Sequence, residues 1–144
     1  PISDAFDASA ANFKIRGNIV VTSPNGGEAW IVGTSHNITW VITGSIVNVN
    51  LDYSTDGGSS YPYSIASSVD ASGGTPYSWT IPDTLSQTCR IKITDALDST
   101  VFDESDSDFK IRGDLTITSP NGGEVWEVNS IHNITWDLTG SIQN

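Results

Sequence analysis

An internal repeat with an offset of 96 residues constrains this chain more than any other feature. The segment Phe13-Lys14-Ile15-Arg16-Gly17 recurs as residues 109–113, and 24 of the 36 positions in 13–48 are identical in 109–144. A fixed period is the mark of an array of similar structural units. We therefore divide the chain into residues 1–17, the last strand of a preceding repeat, residues 18–113, a complete repeat, and residues 114–144, the first strands of a following repeat.

Within the complete repeat, apolar and polar side chains alternate at a period of two, which is typical of strands with one buried face. Turn sequences rich in Gly, Asn and Asp separate these segments, at 24–27, 43–45, 56–58, 72–74 and 82–83. About seven strands in 96 residues predict an all-β fold, an Ig-like antiparallel β-sandwich. The predicted strands centre on Ile19-Val21, Trp30-Val32, Ile38-Trp40-Ile42, Val49-Leu51-Tyr53, Tyr77-Trp79-Ile81, Cys89-Ile91-Ile93 and Phe109-Ile111.

The two copies indicate which side chains face the core. Three predicted outward residues change to polar ones in the second copy, whereas predicted inward residues stay apolar. The outward changes are Val20 to Thr116, Ile31 to Glu127 and Val41 to Asp137, and the inward residues Trp30 and Trp40 recur as Trp126 and Trp136. Val47 is an exception. Its place in the alternation predicts an inward side chain, but the matching residue of the second copy is the polar Gln143. A strand start or a bulge is expected there.

Composition limits the classes of partner. The chain has 17 acidic and 6 basic residues, a net charge of -11. Such a chain is repelled by nucleic acid and by anionic lipid, so its partners must be neutral, cationic or calcium-like. It has no apolar stretch of about 18 residues that could insert into a membrane. The 20 Ser and 15 Thr residues predict an extracellular or cell-surface protein. The lone cysteine Cys89 excludes an intrachain disulfide and leaves the compartment open.

Several motifs follow one another in the order found in a known family. They are 23–28 (Ser-Pro-Asn-Gly-Gly-Glu), 38–40 (Ile-Thr-Trp), 54–58 (Ser-Thr-Asp-Gly-Gly), 77–82 (Tyr-Ser-Trp-Thr-Ile-Pro) and 90–95 (Arg-Ile-Lys-Ile-Thr-Asp). The chain resembles the Ser/Thr-rich, GPI-anchored cell-wall family, related to the yeast killer-resistance proteins of β-1,6-glucan assembly and found in tandem in exported prokaryotic surface proteins. The resemblance implies an extracellular Ig-like module and supplies no catalytic residues.

The segment 54–61 also resembles the Asp-box of sialidases. In that motif the aspartate accepts backbone N–H bonds across a hairpin while an aromatic side chain packs beneath it. We therefore expect Asp56 and Tyr61 to build a structural turn, without glycosidase chemistry.

An acidic run offers hard oxygen ligands of the kind that calcium prefers. Its calcium candidates are Asp98, Asp103, Asp106 and Asp108, beside Asp95 and Glu104. The preceding copy keeps only Asp103, as Asp7, so a solvated loop without a cofactor is the favoured interpretation.

Six basic residues fall in three short alternating segments, at Lys14 and Arg16, at Arg90 and Lys92, and at Lys110 and Arg112. If the last two strands pair, Arg90, Lys92, Lys110 and Arg112 share one outward face. One interpretation is cross-strand pairing with acids such as Asp52. The other is a lateral assembly contact with an acidic face of a neighbouring array.

Other side chains admit two interpretations each. Asn37 and Asn133 lie in N-glycosylation sequons on predicted outward positions. Tyr61 and Tyr63 could be surface aromatics of a carbohydrate platform, whereas the tryptophans of the complete repeat are predicted to be core residues. Trp126 and Trp136 would lie bare in an incomplete domain and are candidate assembly contacts.

Nothing in the sequence assembles a catalytic site. His36 and His132 are one position in two copies, and Cys89 alternates with inward isoleucines, so we predict that the chain is not an enzyme. The junction between repeats is too short for a flexible tether. The sequence thus predicts a structural repeat in a stiff rod, filament or surface layer whose partners are neighbouring repeats or further copies. The alternative is a carbohydrate-binding or adhesin module that recognises polysaccharide through its loops.

Overall fold

The computed structural model describes residues 6–71 and 76–142, and the turn predicted at 72–74 lies outside this range. The described residues form eleven strands and no helix, so no helix there is long and apolar enough to cross a membrane. The strands are β1 (Asn18–Ser23), β2 (Ala29–Ile31), β3 (Ser35–Thr43), β4 (Asn48–Ser54), β5 (Tyr63–Asp70), β6 (Tyr77–Thr80), β7 (Ser86–Asp95), β8 (Phe102–Glu104), β9 (Phe109–Arg112), β10 (Asp114–Ser119) and β11 (Thr135–Thr139).

The strands form open antiparallel and mixed sheets. The first sheet has the order β1-β3-β6, and the second has the order β2-β9-β7-β4-β5 with β8 also paired to β7. All these pairings are antiparallel except that of β2 with β9, which is parallel. Buried side chains from both sheets form one apolar cluster, an arrangement consistent with a β-sandwich.

The side chains that the apolar and polar alternation predicts to face inward are found in the core. Trp30, Trp40 and Trp79 are each only 7% exposed, while Val20 and Val41 face solvent. The fully buried side chains include Ile38, Leu51, Cys89, Ile91, Ile93, Phe109 and Ile111. Burying a large apolar side chain contributes about 1.5–3 kcal/mol, so this set supplies much of the stability of the fold. The exposed Val47 directly precedes the start of β4, so the expected strand start is confirmed.

All seven predicted strands are present, but the count of about seven was too low, because the described part of residues 18–113 contains nine strands. The two additional strands are β5 and β8. β5 lies at the edge of its sheet, and β8 has only three residues and pairs with β7 alone among the described strands. Their side chains are largely exposed or half-buried, so they carry little of the alternation that reveals a strand.

The strand predicted in residues 1–17 is not formed in the described part of that segment. Residues 13–16 match β9 in sequence but have no strand conformation, and Phe13 and Ile15 are exposed. In 18–113 the matching segment is held between β2 and β7. Among the described residues, no strand pairs with residues 13–16.

Residues 114–142 contain a two-stranded sheet, β10-β11. Its register runs from Asp114 opposite Thr139 to Ser119 opposite Thr135, with an irregularity after Ile117. β1 and β3 pair from Asn18 opposite Thr43 to Ser23 opposite Thr39, with an irregularity after Val21. Each pair of β1 with β3 thus corresponds to a pair of β10 with β11 that lies 96 residues later.

Candidate functional site

The four cations predicted to share a face lie on the outward side of the second sheet. β7 and β9 pair with Cys89 opposite Phe109, and both of these residues are buried. The alternate residues Arg90 and Lys92 of β7, and Lys110 and Arg112 of β9, point away from the core. The cations do not form one continuous stripe, however, because β9 pairs only with the first part of β7 and β8 pairs with the part that contains Lys92.

Carboxylates of the same unit neutralise the two cations of β7. Arg90 Nε lies 2.7 Å from Asp108 Oδ1, and Lys92 Nζ lies 3.1 Å from Glu104 Oε1. The hydrogen bond from Arg90 to Asp108 raises the pKa of the guanidinium above its ordinary value. Lys110 and Arg112 are exposed, and within residues 6–71 and 76–142 no carboxylate pairs with them. The cations available for a lateral contact are therefore Lys110 and Arg112 on β9, and not the paired cations on β7.

Asp52 lies opposite Lys92 in the pairing of β4 with β7. Burial raises the pKa of Asp52, against the opposing effects of the Ser64 hydroxyl and the Lys92 ammonium. The cross-strand pair that the sequence suggested is therefore present in register, although the close ion pair of Lys92 is with Glu104. Such pairs contribute about 0.2–1 kcal/mol each.

Aromatic side chains surround Lys92. Its Nζ atom lies 4.0 Å from the ring centroid of Phe102 and 5.2 Å from that of Tyr61. Tyr61 is half-buried, and burial, followed by the nearby Glu104, raises its pKa. Tyr63 is 39% exposed and stacks on Tyr53 with ring centroids 4.7 Å apart. Of the two tyrosines proposed as a sugar platform, Tyr63 therefore has the more accessible ring.

The segment that resembles an Asp-box forms the expected turn. Asp56 accepts hydrogen bonds from the Ser60 backbone N–H at 3.0 Å and from the Ser60 hydroxyl at 2.6 Å. The buried Ser54 hydroxyl donates to Asp56 and accepts the N–H groups of Asp56 and Gly58. These bonds, with that from Ser54 the largest effect, lower the pKa of Asp56 to about 2. Every polar group named here bonds within the turn.

The structure does not bring the four calcium candidates together. Asp98 accepts bonds from Thr100, and Asp103 accepts the N–H of Val21. Asp106 accepts the amide of Asn25, while Asp108 pairs with Arg90. Across the described ranges no group of three or more His, Cys, Asp or Glu side chains is arranged to hold a metal ion.

The remaining candidates are dispersed over the surface and the core. Asn37 and Asn133, the sequon residues, are both exposed. His36 stacks on Trp30 with ring centroids 4.6 Å apart and planes 4° apart, and its Nε2 atom lies 3.0 Å from the Thr34 hydroxyl. Cys89 is fully buried, and this burial raises the pKa of its thiol. A buried thiol with a raised pKa is a poor nucleophile.

The two tryptophans proposed as assembly contacts are exposed. Trp126 is 43% and Trp136 is 53% exposed, whereas Trp30 and Trp40, their counterparts, are buried. Trp126 stacks on His132 with centroids 4.3 Å apart. Leu115, Ile117 and Leu138 of the same hairpin are also about half exposed.

A contact that the sequence did not reveal joins residues 18–113 to the residues after them. Asp83, between β6 and β7, accepts the backbone N–H of Ser141 at 2.9 Å and its hydroxyl at 2.6 Å. The one available signal was the recurrence of Gly44-Ser45-Ile46 as residues 140–142. This recurrence indicates the same turn at both positions but does not identify its partner.

We compared the chain with protein-family models, with curated proteins and with solved structures, and none of them matches. The candidate site therefore rests on the geometry of the chain itself. This geometry comprises a charged outward sheet face, an aromatic cluster around Lys92 and a contact between consecutive segments of the chain.

Proposed function

We propose that the chain is a structural, non-catalytic Ig-like repeat of an extracellular or cell-surface protein, part of a stiff rod, filament or surface layer. One observation carries the proposal: a single residue, Gly113, separates β9 of one segment from β10 of the next. A connection this short cannot act as a random-coil tether.

The sheet arrangement supports the Ig-like part of the proposal. A three-stranded sheet faces a larger one across a common apolar cluster, and the order of the strands requires connections that cross between the two sheets. The 96-residue correspondence between the β1-β3 and β10-β11 registers supports a tandem array. The motif order that resembles the Ser/Thr-rich cell-wall family supports membership in that family and a surface location.

Electron microscopy of the native protein tests the rod. We expect straight rods, filaments or sheets with a regular axial spacing, because consecutive units would be coupled through one residue. Beads that adopt random angles would contradict the proposal. Light scattering of the 144-residue chain measures self-association in parallel.

Charge reversal tests whether assembly is lateral. Lys110→Glu with Arg112→Glu reverses the two cations that have no described carboxylate partner, so we expect it to abolish lateral association without unfolding the chain. Arg90→Glu with Lys92→Glu is the matched comparison, since it also breaks two pairs within the unit and should lower stability. Assembly that survives the first double variant excludes β9 as the lateral contact.

The second candidate function is that of a carbohydrate-binding or adhesin module. The exposed ring of Tyr63 supports this candidate. Flat aromatic rings at surfaces are suited to stacking against apolar faces of ligands. A glycan array probed with the chain and with Tyr63→Ala tests this function. Binding that is lost in the variant would support an adhesin, and absence of binding would favour the rod.

A further inference from the structure

We propose that Asp83 is the socket of a joint that receives the turn Gly140-Ser141-Ile142, and that this joint fixes the angle between consecutive units. The inference deepens the structural-repeat function proposed above and rests on it. It identifies the partner of this end of the unit as the corresponding turn of the next unit in the same chain.

Both oxygens of the Asp83 carboxylate are committed to Ser141. Oδ1 accepts the backbone N–H at 2.9 Å and Oδ2 accepts the hydroxyl at 2.6 Å. Hydrogen bonds to an ionised acceptor are stronger than neutral ones, and two parallel bonds restrict rotation about either. The same bonds, the hydroxyl first, hold the pKa of Asp83 below its ordinary value. The socket therefore stays charged at neutral pH.

Close packing confines one side of the turn beside Asp83, although Ser141 and Ile142 are exposed to solvent. Gly140 has a φ of 83°, and a Cβ atom added to it would lie 3.2 Å from Val32 Cγ2 and 3.3 Å from Asp83 Oδ1. The connecting residue Gly113 is more tightly confined, since an added Cβ would collide with the carbonyl oxygen of Thr139 and lie 2.6 Å from Ile142 Cγ1. Glycine at both positions lets the connection and the turn approach closely. The joint thus has little free space on the side where Gly113 and Gly140 meet these neighbouring atoms.

The same elements recur one repeat earlier. Residues 44–46 have the sequence of 140–142, and a Cβ added to Gly44 would lie 3.0 Å from Gly17 Cα. A Cβ added to Gly17 would lie 2.8 Å from the Ile46 side chain. Ser45 thus occupies the position of Ser141, and within the described ranges no carboxylate binds it. We infer that Ser45 enters the corresponding socket of the unit before it.

The experiment uses the 144-residue chain and two NMR measurements. The first is the hydrogen-exchange rate of the Ser141 amide, and the second is the alignment of β10-β11 relative to β1–β9 from residual dipolar couplings. In Asp83→Ala we expect exchange at Ser141 to accelerate by about threefold or more, a modest factor because solvent weakens exposed charged contacts. We also expect the two segments to lose their common alignment.

Two serine variants provide the controls. Ser141→Ala removes the hydroxyl bond but keeps the backbone one, so its effect should be smaller and in the same direction. Ser45→Ala removes the matching hydroxyl in a turn without a described carboxylate partner and should leave Ser141 unchanged. Unchanged exchange and alignment in Asp83→Ala would overturn the joint.

The outcome separates this inference from the proposed function. A loosened joint in Asp83→Ala supports the socket even if the native protein forms no filaments or sheets under the electron microscope, a result that would count only against the filament or surface layer. An unchanged joint in Asp83→Ala overturns the socket even if native arrays are straight, a result that would leave the rod in place.

Discussion

Asp103 accepts the backbone N–H of Val21 through its Oδ2 atom at 2.7 Å. The bond joins β8 of the second sheet to β1 at the edge of the first. Val21 is only 1% exposed and is the last residue before the register of β1 with β3 shifts. A buried N–H group at a sheet edge needs a partner from outside its own sheet. The carboxylate provides that partner and ties the two sheets together.

Replacing Asp103 with alanine should therefore destabilise the fold. We expect a loss of about 1.5 kcal/mol in the free energy of unfolding, the low end for a hydrogen bond to a charged group. Urea unfolding of the 144-residue chain measures it. Asp106→Ala is the matched control, because it removes a nearby carboxylate whose hydrogen bond with the Asn25 amide is exposed to solvent. An equal loss in both variants would show that Asp103 acts only through its charge.

The same geometry explains which residues of the acidic run recur in the preceding copy. Asp103 and Ser105 recur as Asp7 and Ser9, while Glu104 and Asp106 become alanines. Ser105 is 1% exposed, donates to the Pro24 carbonyl at 2.8 Å and accepts the Ile91 N–H at 3.0 Å. The recurrent residues thus satisfy buried backbone groups, whereas Glu104 and Asp106, the two acids that become alanines, bond at or near the surface. The comparison of the two copies showed which of these residues recur, but it did not show that the recurrent ones bond to buried backbone groups.

Protonation of Asp56 should loosen its turn only in strong acid. Its pKa is about 2 in the folded chain, below the ordinary value of about 3.9. A lowered folded-state pKa means that the carboxylate stabilises the turn above about pH 4 and that this contribution declines as the pH falls towards 2. A carboxyl-carbon NMR titration should give a midpoint near 2.

Ser54→Ala provides the comparison for this titration, because the Ser54 hydroxyl has the largest effect on the pKa of Asp56. The midpoint should rise towards the ordinary value in this variant. Ser60→Ala should raise it less, since the Ser60 backbone N–H still bonds to the carboxylate. A wild-type midpoint close to 4 would mean that the hydrogen bonds of the turn do not persist in solution.

Strand alternation was sufficient to predict the core and seven of the strands, because inward positions in a sandwich are governed by burial. It missed β5, a strand whose residues are mostly exposed or half-buried and whose pairing with β4 contains two register shifts. A bulged edge strand has no regular period to detect. Residues 13–16 repeat the sequence of β9 but pair with no strand in the described ranges, so sequence identity alone did not predict a strand there.

The joint could not be predicted from local sequence, because Asp83 lies 58 residues from Ser141 and belongs to a short loop without periodicity. The alternation of Arg90 and Lys92 placed them outward correctly. It could not reveal that Asp108 and Glu104 would neutralise them, since these acids lie in separate segments. Contacts between segments depend on how the folded segments are placed against one another. The alternation of apolar and polar residues along one strand carries no information about that placement.

Calcium should not change the stability of the described fold. The four candidate aspartates have separate partners, including Val21 for Asp103 and Arg90 for Asp108. A ligand that binds the folded state raises the melting temperature. We therefore expect the melting temperatures in 5 mM calcium and in chelator to agree within about one degree. A rise of several degrees in calcium would require the acidic run to rearrange around the ion.

Replacing Gly113 with alanine should open the joint between the two segments. An added methyl group would collide with the backbone carbonyl of Thr139 and press against the Ile142 side chain. A backbone atom cannot rotate away, so the connection must shift and draw the turn away from Asp83. Gly17→Ala is the matched control, because its closest neighbour is the Ile46 side chain, which can change rotamer. Hydrogen exchange of the Ser141 amide should accelerate in Gly113→Ala and remain unchanged in Gly17→Ala. Equal rates in Gly113→Ala and the wild-type chain would show that the connection has more room than the close approach of these residues implies.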